Sequence, residues 1–154
     1  MSIFISIASY QDPLLVSTIY SAYQNASDKD ALVFGICDQS DEPDNILGIE
    51  FSEQINYEHV DPLFAKGPCW ARHRAQSSFK NEDYFLQIDS HTQFAPDWDM
   101  RFISQLNKIE QLGSRDEYFA KPIITSYPRS FQVVDFDKGL FRLNSGDKHT
   151  QGIT

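Results

Sequence analysis

Residues 84–94 read YFLQIDSHTQF. An apolar run carries the chain into Asp89, Ser90 and His91, and polar residues follow at once. Side chains alternate along a strand, so Asp89 and His91 face the same way at its carboxyl end. A carboxylate and a neutral imidazole together suit Mn²⁺, which accepts both hard oxygen and nitrogen ligands. Two protein ligands leave coordination positions open, and a diphosphate fills two of them. A simple turn, with Asp89 capping local amides, is the competing reading of the tripeptide. Its place at the end of the strongest strand, just ahead of a helix, favours the metal.

Immediately upstream, KGPCWARHRAQSSF (66–79) opens with a Gly-Pro turn and continues with Ala71, Ala75 and Phe79 on one helical stripe. Arg72 lies early in that helix, and a helix N-terminus with an arginine is a site for an anion. Helical geometry turns Arg74 away from Arg72, so Arg74 reads as part of a solvated basic face. Further back, IFISIASY (Ile3 to Tyr10) and ALVFGICDQ (Ala31 to Gln39) read as buried strands. Between them Asp12-Pro13 supplies an N-cap and a first-turn proline, and Leu15, Ile19 and Ala22 keep helical spacing. The acidic stretch from Ser40 to Asn56 is weakly patterned and reads as loop with at most a short strand.

Downstream, APDWDMRFISQLNKIEQLG carries Trp98, Phe102, Leu106 and Ile109 at helical spacing, and Gly113 stops it. Asp97 and Asp99 sit where capping and the helix dipole explain them better than a metal does. KPIITSYP and FQVVDFD read as further strands. The order β-α-β, loop-α-β-α, β-β predicts an α/β fold with a mostly parallel central sheet flanked by helices. Ligands collect at the carboxyl ends of such strands. Ser9, Tyr10, Asp12, Asp38 and Gln39 stand at those ends and suit a nucleotide.

The 154 residues suffice for one domain spanning 1–154 with its own core. A net charge of −9 argues against nucleic acid and anionic membrane as partners. Any phosphate must therefore be held locally, by a metal, a few arginines or a helix N-terminus. No apolar run is long enough to cross a bilayer. The opening MSIFISIASYQDP alternates like a strand rather than a signal peptide. Cys37 and Cys69 are too few for a disulfide framework and read as buried free thiols in a reducing, cytoplasmic setting. His59 and His73 read as surface or internally satisfied histidines.

Taken together, FISIASYQDP, GICDQ, KGPCWARHRAQ, YFLQIDSHTQF and WDMRFISQL resemble, in order and spacing, the GlcNAc-transferase-type glycosyltransferases, from roughly Ile3 to Leu106. The resemblance implies a GT-A-like nucleotide-sugar-binding sandwich in which DSH stands for the DXD-type metal motif. It implies Mn²⁺ (or Mg²⁺) and a UDP diphosphate on Asp89 and His91. Ala8, Ser9, Tyr10 and Asp12 would line the uridine pocket, with Asp38 and Gln39 on the nucleoside side and Arg72 near the nucleotide or diphosphate. The activity it implies is transfer of GlcNAc from UDP-GlcNAc to a hydroxyl acceptor, protein hydroxyproline among them.

The sequence also departs from that pattern. Family members run longer after the metal motif, with an acidic Gly-Glu-Glu-like segment and a late histidine. Here the sequence ends NSGDKHTQGIT, and His149 reads as a surface histidine. The expectation is a donor-binding half, with self-association through an uncovered sheet face. A UDP-sugar-binding module without catalytic power and a metal-dependent nucleotidyltransferase are the alternatives.

Overall fold

The structure is a computed structural model that describes residues 1–113, 122–135 and 140–143. The chain forms two compact units, Met1–Met100 and Arg101–Thr154.

In the first unit, β1 (Ile3–Tyr10), α1 (Leu15–Asn25), β2 (Leu32–Gln39), β3 (Ile55–Val60), α2 (Pro68–Gln76) and β4 (Tyr84–Asp89) follow in order. The four strands make one sheet in the order β3-β2-β1-β4. Every pairing is parallel, so the expected α/β architecture is present, with all four carboxyl ends at one edge. Strands β1 and β2 lie at the centre, and that is why they read as continuous apolar runs: Phe4, Ile5, Ile7, Phe34 and Ile36 are buried.

Helices cover both faces of the sheet. On one face α2 packs Ala71 and Ala75 against Cys37, with Ala8, Val60 and Trp70 around them. The approach is closest at Gly35, where a Cβ would overlap the Ala75 carbonyl and the Phe4 ring. On the other face Phe34 meets Phe51, whose ring stacks on Tyr23 of α1. The connection after β2 carries short 3₁₀ turns at Ile46–Gly48 and Ser52–Gln54 and then β3, whose first two residues fall at the end of the Ser40–Asn56 stretch read as loop. Asp12 lies two residues ahead of the helix boundary at Leu14, so it does not occupy the N-cap position assigned to it, although its Oδ1 accepts the Leu14 N–H at 2.9 Å.

The last helix, α3 (Trp98–Gly113), begins at the end of the first unit and continues through the second. Its first turn carries Asp99, 1% exposed, which accepts the backbone N–H groups of Ser27 and Asp28 at 2.9 and 3.0 Å. Asp99 is thus a structural residue, as its position at a helix start suggests. In the second unit β5 (Phe131–Asp135) pairs antiparallel with β6 (Leu140–Leu143). The strand expected at KPIITSYP is not formed: residues 122–130 have no regular structure, and Ile123 and Tyr127 are almost fully exposed. Prolines at 122 and 128 flank only five residues between them, and a proline cannot donate to a sheet ladder. His149 lies outside the described residues.

Candidate functional site

The carboxyl ends of β1, β2 and β4 carry two adjoining groups of residues. The first surrounds an open cleft of about 500 Å³, lined by Ala8, Ser9, Tyr10, Gln39, Pro62, Ala65, Gly67 and Pro68. Ala8, Ser9, Tyr10 and Gln39 are the residues that the sequence reading places on a nucleotide. Gln39 is 3% exposed, and its Nε2 donates to the Ser9 carbonyl at 2.8 Å. Its Oε1 has no hydrogen-bond partner among the described residues, and neither does the buried Ser9 Oγ. A buried amide oxygen left unpaired costs about 1–3 kcal/mol. At the wall of an open cleft it is an acceptor that a ligand can satisfy. Tyr10 sits at the same wall with its ring exposed.

Of the opposite wall, the sequence reading reached the helix start at Gly67 and Pro68 but not Pro62 and Ala65. Asp61 caps the 3₁₀ turn Pro62–Phe64 by accepting the Leu63 N–H, which sets Pro62 and Ala65 at the cleft. Gly67 then adopts φ +89°, a conformation open to glycine, and α2 starts at Pro68 with no side chain capping it. The start of α2 therefore faces the cleft without a cap, and its positive dipole end favours an anion. The Lys-Gly-Pro turn was the available signal for this wall.

The second group is the rim made by the DSH tripeptide. Ser90 is buried, while Asp89 and His91 on either side are exposed; β4 ends at Asp89, so Ser90 and His91 stand in the turn beyond it and not in the strand alternation expected for them. Ser90 is the anchor. Its carbonyl accepts from Thr18 Oγ1 at 2.6 Å, and its hydroxyl donates to Asp12 Oδ2 at 2.7 Å. Asp89 faces Arg72 of α2, with Oδ1 to Nη2 at 3.3 Å, and both side chains are well exposed. His91 donates from Nδ1 to Asp12 Oδ2 at 2.7 Å. Asp12 thus accepts from Ser90, His91 and Leu14 at once. Burial alone would raise its pKa, but the hydrogen bonds from Ser90, His91 and Leu14 outweigh burial and hold the carboxyl below its ordinary value.

Asp89 and His91 fit a divalent cation as an open, two-ligand site. One is a carboxylate and the other an imidazole, donor types that a divalent cation takes, and both are solvent-facing, with Asp89 turned to Arg72 and His91 to Asp12. Among the described residues no group of three or more His, Cys, Asp or Glu side chains is gathered in a way that holds a metal. The remaining coordination positions of a cation held there would fall to ligand oxygens and water.

Asp38 is placed elsewhere. It is 1% exposed and accepts from Ser40 Oγ and Tyr57 Oη, each at 2.7 Å, beneath the loop that follows β2. The Tyr57 hydroxyl also accepts the Asp44 N–H, and burial followed by the Asp38 carboxylate pushes its pKa well up. Burial and then the Asp38 charge likewise raise Asp44. Asp38 therefore braces the β2 loop instead of lining the cleft. Arg74 is exposed, as expected, and in addition pairs with Glu58 of β3 and lies 5.2 Å over the Trp70 ring. His59 Nε2 meets the Ser40 carbonyl at 2.7 Å, the internal role expected for it. The Cys37 thiol is buried, as expected, and pushed up to about 11, first by burial and then by the Glu58 charge, which makes it a poor nucleophile, whereas Cys69, at the start of α2, is exposed and not buried as the sequence suggested.

A four-stranded parallel α/β sheet flanked by helices, with an open cleft at its strand ends, is the architecture of a GT-A-like sandwich. The chain belongs to the family described as Glycosyltransferase (GlcNAc), whose model matches residues 2–50 and 45–146. No curated protein and no solved structure matches it. A glycosyltransferase takes its sugar from an activated donor, which makes a nucleotide-sugar its partner. Among the described residues no helix is long and apolar enough to cross a membrane.

Proposed function

We propose that the protein is a metal-dependent glycosyltransferase that binds UDP-GlcNAc in the β1–β2–α2 cleft and transfers GlcNAc to a hydroxyl acceptor, such as a protein hydroxyproline. The observation that carries this reading is the unpaired Gln39 Oε1 in the wall of a cleft that ends at the uncapped start of α2. Uracil N3–H is a donor of the kind this oxygen lacks, and Tyr10 offers a ring on which a base can stack. Beyond the nucleoside, the start of α2 and the Arg72 guanidinium supply positive charge for phosphate. Asp89 and His91 would hold Mn²⁺ or Mg²⁺. When bound, the cation supplies Lewis-acid stabilisation of charge on departing UDP. The protein's own residues orient the base at Gln39 and Tyr10, keep Arg72 beside Asp89, and hold His91 through Asp12.

The test is Mn²⁺-dependent hydrolysis of UDP-GlcNAc, and its transfer to a hydroxyproline peptide, by the purified chain. Turnover by wild type that disappears in Asp89→Ala supports the proposal. Full turnover by Asp89→Ala overturns it. Binding of UDP and Mn²⁺ without any turnover overturns the catalytic part and leaves a binding module.

A further inference from the structure

Asp12 stands in the sequence among residues suited to the nucleotide, yet its carboxylate does not line the cleft. It points instead to the rim, where it receives three donors: Leu14 N–H at 2.9 Å, Ser90 Oγ at 2.7 Å and His91 Nδ1 at 2.7 Å. The geometry points to Asp12 as the residue that fixes the tautomer and orientation of His91, so that Nε2 is the atom offered to a divalent cation. This rests on the reading of Asp89 and His91 as cation ligands.

The chemistry follows from what each atom is able to do. An ionised carboxylate only accepts hydrogen bonds, so the Nδ1 that approaches Asp12 carries the proton. A neutral imidazole has one proton on its ring nitrogens, and Nε2 is then left with its lone pair. A free histidine in water prefers the other tautomer slightly and samples several ring orientations. The Asp12 carboxylate removes both freedoms. Asp12 is itself held: Ser90 and Leu14 fix its position from two elements, and Ser90 is fixed in turn by Thr18 of α1. The ring thus connects through Asp12 to the packed core of the first unit, although His91 itself is 59% exposed. A carboxylate behind a metal-binding histidine raises its basicity, and removing such a partner lowers metal affinity by about 10–100-fold.

The experiment has two readouts, neither of which is activity. The first is the ¹⁵N spectrum of the His91 ring in metal-free wild-type protein at a pH where the imidazole is neutral, assigned with His91→Gln. Protonated Nδ1 and bare Nε2 are expected, and the reverse tautomer overturns the inference without any substitution at Asp12. The second is the Mn²⁺ dissociation constant by calorimetry for wild type, Asp12→Asn, Asp89→Ala and His91→Gln. Affinity in Asp12→Asn is expected to fall about 10–100-fold, with the ¹⁵N pattern shifting away from Nδ1–H. Wild-type affinity in Asp12→Asn, with Asp89→Ala and His91→Gln both impaired, overturns the positioning role and leaves the cation site standing. Unchanged Mn²⁺ binding in Asp89→Ala and His91→Gln overturns the site itself, and the positioning role with it. Should Asp12→Asn fail to fold, the wild-type tautomer still decides the inference.

Discussion

Two aspartates ten residues apart show how the same side chain takes opposite roles. Asp89 stands 65% exposed at a strand end with Arg72 at 3.3 Å. Exposed pairs of this kind contribute about 0–1 kcal/mol, so Asp89→Ala is expected to shift the urea midpoint by less than about 1 kcal/mol of stability while Mn²⁺ binding is lost. A large loss of stability would mean that Asp89 serves the fold. Asp99 is buried and accepts backbone N–H groups from Ser27 and Asp28. Burial alone would raise its pKa, but the hydrogen bonds from Ser27, Asp28 and the first turn of α3 outweigh it and hold the carboxyl below its ordinary value. A folded pKa below the unfolded one contributes stability that is complete above the unfolded value and is lost as pH falls through the folded one. Asp99→Asn is therefore expected to cost about 1–3 kcal/mol near neutral pH, with the gap to wild type closing as pH drops below about 4. Parallel urea titrations at several pH values measure this. Sequence spacing put both Asp89 and Asp99 in plausible roles, because each sits at the end of a well-patterned element. It could not show that Asp12 turns to His91 or that Asp38 turns under its own loop. Those choices depend on partners up to 79 residues away.

At the scale of elements, legibility followed burial. Strands β1 and β2 are covered on both faces, so their apolar runs announce them, and β4 ends where its pattern breaks at Asp89. Strand β3 lies at the sheet edge and carries Asn56, Glu58 and His59, whose polar side chains bond to neighbouring elements. Such an edge strand leaves no apolar alternation to read, and the part of the second wall that follows β3 directly, Pro62 and Ala65, stayed hidden with it. The placement of that wall depends on how closely α2 approaches the sheet. Gly35 permits the approach, since a Cβ there would strike the Ala75 backbone carbonyl and the Phe4 ring. Gly35→Ala is accordingly expected to destabilise the chain by about 1–3 kcal/mol, as overpacking does, in thermal or urea melts. Wild-type stability in that variant would show that α2 can move away from β2 at little cost.

At the scale of the whole molecule, charge decides how the proposed ligand must arrive. The chain carries −9, and Arg72, the guanidinium beside Asp89, already faces that carboxylate. A nucleoside diphosphate meets a repulsive field, which a divalent cation on Asp89 and His91 would reverse locally. The metal and the diphosphate should therefore bind synergistically. A ligand present at about 100 times its dissociation constant stabilises the native state by about 2.7 kcal/mol. For a chain of this size that raises the midpoint of thermal unfolding by about 5–11 °C. UDP with Mn²⁺ is expected to produce such a rise, larger than the sum of the rises with UDP alone and with Mn²⁺ alone, and a chelator should abolish the excess. UMP keeps the base and ribose but lacks the bridging diphosphate, so with Mn²⁺ it should give no more than an additive effect. Additive rises with UDP would place the cation away from the diphosphate, and equal synergy with UMP would assign the coupling to the nucleoside end of the cleft.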